Sequence, residues 1–126
     1  MDLIQTDRAP TPAGHYSQGV VHGGIVYVSG QLPGDPDQPD APTPDSVEAQ
    51  TERVLKNISG VLEAAGSDLG RVLQMTIYVS DPEHWGPVNE AYRRVMGDHR
   101  PARAIVPVKD LKGAALEVQA IAAVGD

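Results

Sequence analysis

An α+β fold, one mixed sheet carrying two helices on a single face, is predicted by three features of this 126-residue sequence. Strand-like runs occur at residues 16–21, 25–29 and 68–79 and twice within residues 101–124. Two amphipathic helical segments, residues 45–65 and 81–96, interrupt them. The order ββαβαββ, with about five or six strands in all, leaves too few helices to cover both faces of one sheet.

The elements follow in order. Residues 8–14 carry two prolines and read as an extended lead-in. The strands 16–21 and 25–29 flank His22-Gly23-Gly24, a hairpin signal because tight turns need positive φ. In the second of these, Ile25, Tyr27 and Ser29 share one face, and Val26 and Val28 the other. Residues 33–44 hold Pro33, Pro36, Pro39, Pro42 and Pro44 with Asp35, Asp37 and Asp40, a loop composition with the greatest expected mobility of the chain.

Asp45 is positioned to cap the first helix, with Glu48 three residues on and Gly66 just past the end. Val47, Val54, Ile58, Val61, Leu62 and Ala65 form its apolar stripe. Alternation in 68–79 sets Leu73, Met75, Ile77 and Val79 against Gln74, Thr76 and Tyr78. Asp81-Pro82 opens the second helix, with an irregular turn expected before Pro87 and regular helix from there to Met96. Its stripe is Trp85, Val88, Tyr92, Val95 and Met96, with Asn89 at the edge. The bare sheet face would show Ile25, Tyr27, Tyr78 and Ile121, or the residues opposite them, and so large an apolar surface predicts a closed homo-oligomer.

The bulk numbers narrow the function classes. The length predicts one domain over residues 1–126. There is no cysteine, hence no disulfide and no thiol nucleophile, as expected of a cytoplasmic protein. The N-terminus lacks the basic and apolar regions of a signal peptide, and no run reaches membrane-spanning length. A formal charge of −7 disfavours nucleic acid as a partner. The four histidines (15, 22, 84 and 99) show no metal-ligand spacing, so no metal site is expected.

Two ions interrupt the final strands, Arg103 and Glu117. A buried unpaired charge costs several kcal/mol, so either the two neutralise each other or they face a ligand. As a ligand group, Arg103 offers a planar fork that grips a carboxylate through two parallel hydrogen bonds. Its structural alternatives are an ordinary salt bridge and a surface arginine that snorkels to water. Glu117 is either an outward-facing strand residue or a general base that orients water. Tyr16 and Ser29 have no catalytic-triad context, and Asn89 alone reads as a polar helix-edge residue.

Six segments change the weight of these residues: Y-S-Q-G-V at 16–20, V-S-G-Q-L-P at 28–33, E-A-A-G at 63–66, V-N-E-A-Y at 88–92, P-A-R at 101–103 and L-E-V-Q-A-I-A at 116–122. In order and spacing they resemble the RidA/YjgF family, the reactive intermediate deaminases, over nearly the whole chain. The resemblance implies a chorismate-mutase-like fold, a homotrimeric barrel and an active site in each cleft between subunits. It implies carboxylate binding by Arg103 and the backbone N–H of Ile105, and water positioning by Glu117. Further substrate contacts fall on Tyr16, Ser29, Gly30 and Asn89. The implied reaction, without cofactor or metal, hydrolyses 2-enamino and 2-imino acids such as 2-aminoacrylate and 2-iminobutanoate to 2-keto acids and ammonia.

Ile105 stands where family members often carry cysteine, Pro107 is expected to remove a ladder donor and so to mark an edge or a bulge, the link to Glu117 is short, and the proline-rich loop is unusual. Other readings stay open at this level: a non-catalytic trimer that binds small carboxylates, a member of the family serving a specialised pathway, and, against the acidic charge, an endoribonuclease.

Overall fold

The structure, a computed structural model, describes residues 1–125. Its strands are β1 (Asp2–Ile4), β2 (Gly19–His22), β3 (Ile25–Gln31), β4 (Val72–Val79), β5 (Ala102–Pro107) and β6 (Leu116–Ala123). The helices are α1 (Val47–Ala64) and α2 (Trp85–Met96). One six-stranded sheet runs β1-β2-β3-β6-β4-β5, with only β4 and β5 pairing in parallel.

This order explains the one-sided architecture. β3 and β4 are both antiparallel to β6 and therefore parallel to each other, so α1 is a crossover that leaves room for β6. α2 is the next crossover, from β4 to β5. Both crossovers step across the sheet in the same direction, and a common handedness places both helices on the same face.

Under the helices lies the core: Val26 and Val28 of β3, Leu55, Ile58 and Leu62 of α1, Met75 and Ile77 of β4, Val88 of α2, and Leu116 and Val118 of β6. On the bare face, Tyr27 stays 49% exposed, as its alternation with Val26 and Val28 requires. Gly23 and Gly24 take φ of 61° and 78° in the β2–β3 turn, where His22 pairs with Ile25.

Several expectations need correction. A short N-terminal strand, β1, precedes the lead-in and pairs with β2; three residues carry too little periodicity to be seen in sequence. β2 starts at Gly19 rather than residue 16. The segment before it is tied to the lead-in, with Gln18 Nε2 donating to the carbonyls of Thr6, Ala9 and Pro10, and Oε1 accepting from Thr6 N.

The α1 cap is Ser46, not Asp45, and its hydroxyl accepts from Ala49 N at 3.0 Å. The segment 68–79 opens with a 3₁₀ turn at Leu69–Arg71 before β4 begins. A register shift between Val72 and Gln74 then turns Val72 inward and leaves Leu73 49% exposed, the reverse of simple alternation.

Pro82–His84 forms the irregular turn before α2, with Asp81 Oδ1 accepting from Glu83 N at 2.9 Å. α2 itself begins at Trp85, earlier than expected. Pro87 falls in its first turn, where the backbone N–H would have no intrahelical partner anyway. Within the expected stripe Val88, Tyr92 and Met96 are buried, whereas Trp85 and Val95 are exposed.

The proline-rich loop is fastened at both ends. Asn57 Nδ2 donates to the carbonyls of Leu32 and Gly34, and Gln50 Nε2 to that of Pro44.

Candidate active site

Each ion of the final strands acquires its surroundings from its register. Arg103 pairs with Met75, a core residue, and so projects towards the helices. There its guanidinium lies 4.9 Å from the Tyr92 ring centroid and 5.7 Å from that of Trp85. Nη1 donates to Asn89 Oδ1 at 2.9 Å. The site opens into a cavity of about 560 Å³ lined by Asn89, Tyr92, Met96, His99, Arg100 and Arg103. Burial pushes the Tyr92 phenol above its ordinary range, and the Arg103 charge acts against that rise.

β5 is the outer strand of the sheet. Val108 N donates to Val79 O on β4, so alternation along the strand turns the N–H groups of Val106 and Ala104 the same way. The N–H groups of Arg103 and Ile105 therefore point to the open edge. Pro107 occupies the same outward parity: it lies on the edge strand, as its proline suggests, but its missing N–H costs no ladder bond.

Glu117 has the opposite aspect. It pairs with Tyr78 on β4, one residue out of phase with the buried Ile77–Val118 pair, and so stands on the helix-free face. A register shift between Val28 and Gln31 brings Gly30 beneath it, and a Cβ added at Gly30 would collide with the Glu117 carboxylate. A second cavity, about 730 Å³, is lined there by Tyr16, Ser29, Gly30, Leu111, Lys112 and Glu117. Lys112 carries a φ of 57° in the β5–β6 loop, a conformation that side chains other than glycine seldom adopt. Ser29 Oγ donates to Ser17 O at 2.5 Å, and Tyr16 Oη accepts from Ala13 N at 3.4 Å.

The expected residues thus fall into two groups. Arg103, Ile105 and Asn89 belong to the helix side and outer edge of the sheet; Glu117, Gly30, Ser29 and Tyr16 belong to its bare face. Within one chain the two ions do not meet. Among the described residues the ion pairs use Arg8, Arg53, Arg93 and Arg94, leaving Arg103 without a carboxylate. No three His, Asp or Glu side chains are grouped for a metal among the described residues. His84 and His99 instead meet the carbonyls of Ala115 and Val72. In sequence Trp85 and Tyr92 belong to one apolar stripe, of which Tyr92 is buried in the core and Trp85 is half-exposed. Their i, i+7 spacing around Asn89 was visible, but nothing local showed that an arginine would enter between them.

A family model described as Endoribonuclease L-PSP matches residues 6–124. The chain belongs to the RidA/YjgF family. It is 38% identical over 124 residues to the 2-iminobutanoate/2-iminopropanoate deaminase of Rattus norvegicus, spanning 98% of this chain and 90% of that one. Among solved structures of the RidA family, E. coli TdcF with bound serine superposes with a TM-score of 0.93 at 34% identity, over 99% of this chain and 100% of that chain. RidA from the Antarctic bacterium Psychrobacter sp. gives 0.92 at 37% identity, over 98% and 100%. No helix among the described residues is long and apolar enough to cross a membrane.

Proposed function

We propose that this protein hydrolyses 2-imino and 2-enamino acids to 2-keto acids and ammonia, at sites formed between the subunits of a homotrimer. The observation that carries the reading is the division of the site: a guanidinium with no carboxylate partner beside an open strand edge, and a carboxylate on the opposite, uncovered sheet face. Each half is chemically incomplete. A head-to-tail contact, with the β5 edge of one copy against the bare face of the next, supplies both at once and closes into a ring. The rat relative's activity, as its name states it, supports the substrate class.

In this arrangement Arg103 and the Ile105 N–H hold the substrate carboxylate. Glu117 accepts a proton from water as the water oxygen bonds to the C=N carbon, giving a tetrahedral carbinolamine. Glu117 hands that proton to the nitrogen and, again a carboxylate, takes the hydroxyl proton as the C–N bond breaks, so that ammonia leaves and the 2-keto acid remains. An enamine enters the same course after protonation at its terminal carbon. The C=N carbon is already electrophilic, so the chain need supply only binding and proton movement.

Added to a threonine dehydratase reaction, the protein is expected to accelerate 2-ketobutyrate release beyond the spontaneous rate. Binding of 2-ketobutyrate by calorimetry without turnover of any imino acid would favour the carboxylate-binding alternative. That alternative draws on one observation, the serine bound to TdcF. The net charge of −7 gives no support to phosphate-backbone binding.

Gly30→Ala offers a local test. The obstructed group is the movable end of a side chain, so the fold accommodates the methyl while the Glu117 carboxylate swings aside. Its kcat should fall roughly tenfold or more at near-wild-type thermal stability, since a misplaced proton acceptor loses much of its effect. Unchanged kcat would show that Glu117 does not act from this position.

A further inference from the structure

We propose that Trp85, Asn89 and Tyr92 form a neutral clasp that positions Arg103 for carboxylate capture without neutralising it. The inference rests on the reading of Arg103 as the carboxylate-binding group. It goes beyond that reading by giving Trp85 and Tyr92 a role in substrate affinity and by making Asn89 a residue that holds Arg103.

The three residues stand at i, i+4 and i+7 of one helix, so their side chains lie along one face. The β4–α2–β5 crossover brings that face over β5. Arg103 then enters between the two rings, 4.9 and 5.7 Å from their centroids, with Nη1 fixed on Asn89 Oδ1 at 2.9 Å. The Tyr92 hydroxyl is buried without a hydrogen-bond partner. Its ring, rather than its hydroxyl, is therefore the part in use here.

The chemistry of the partners matters. An aspartate or glutamate would orient a guanidinium equally well, but it would cancel the charge and compete with an incoming carboxylate. Aromatic faces and an amide oxygen hold the same group while leaving its charge whole. An arginine already ordered also loses less conformational freedom on gripping its ligand. Such interactions act alike on ground and transition states, so their loss appears in KM and not in kcat.

The test uses Trp85, the single tryptophan of the chain, and 2-ketobutyrate as the probe. Binding to the wild type should alter Trp85 emission, and calorimetry gives Kd for every variant. Trp85→Leu, at a half-exposed position that spares the core, should raise Kd and KM about fivefold to tenfold with kcat within about twofold. Tyr92→Leu should do the same, and Tyr92→Phe, which keeps the ring, should restore the affinity. Asn89→Asp, which introduces a competing carboxylate, should weaken binding without lowering thermal stability. Arg103→Lys should not recover wild-type affinity, because an ammonium cannot fill the same slot.

Wild-type Kd and KM in Trp85→Leu and Tyr92→Leu would overturn the clasp. If the wild type binds 2-ketobutyrate but turns over no imino acid, the deaminase reading fails, and the clasp stands or falls on the same Kd series. If the wild type binds no 2-keto acid, both fail.

Discussion

Two inactive variants, refolded together, are expected to restore activity. Arg103→Ala removes a charge-assisted carboxylate grip and should lower kcat/KM on the order of 100-fold or more. Glu117→Gln retains shape but cannot accept a proton, and should lower kcat on the order of 100-fold to 10,000-fold. In a closed trimer each site takes Arg103 from one copy and Glu117 from its neighbour. Every mixed trimer then contains one junction at which both groups are intact, so random mixing should return about a quarter of the wild-type sites. Each variant alone stays inactive. Absence of recovery in mixtures shown to contain mixed trimers would mean that the two ions serve one chain, or no common site.

The second large effect concerns stability. Gln18 is 1% exposed and binds four backbone groups of the lead-in through its amide. Gln18→Leu keeps the volume but leaves those groups without that partner, each at about 1–3 kcal/mol where water cannot reach them. Some regain water as the lead-in loosens, so a net loss of about 2–4 kcal/mol is expected, with a Tm lower by roughly 10 °C. The lead-in also supplies Pro10, Thr11 and Ala13 to the wall of the Glu117 cavity, so catalytic loss should accompany unfastening. A thermal melt matching that of wild type would show that Gln18 is dispensable.

Gln18 also marks the reach of sequence reasoning. It lies in a recognisable segment, yet four contacts reaching 8–12 residues back have no local signature. The α1 stripe, by contrast, was legible because Val54, Ile58, Val61 and Leu62 repeat with the helix itself. Leu73 defeated the same kind of argument in β4. One register shift against β6 inverted its facing, and the partner strand is more than forty residues away.

Asp45 had the capping-box spacing to Glu48, but the extended backbone falls at Ser46, whose hydroxyl meets Ala49 N. For the site, the residue types were legible and their grouping was not. Arg103 stands beside Met75 because β5 pairs in parallel with β4, and Glu117 beside Tyr78 because β6 lies on the other side of β4.

The sequence alone determined the order of the main strands and helices, the polarity of most of their faces and the identity of the two ions. Those properties depend on side chains a few positions apart, where local periodicity acts. Only the tertiary structure decided that the ions stand on opposite sides of one sheet, and that three neutral α2 side chains surround one of them. Strand order and register bring together residues far apart in the chain, and no local pattern specifies which face meets which neighbour.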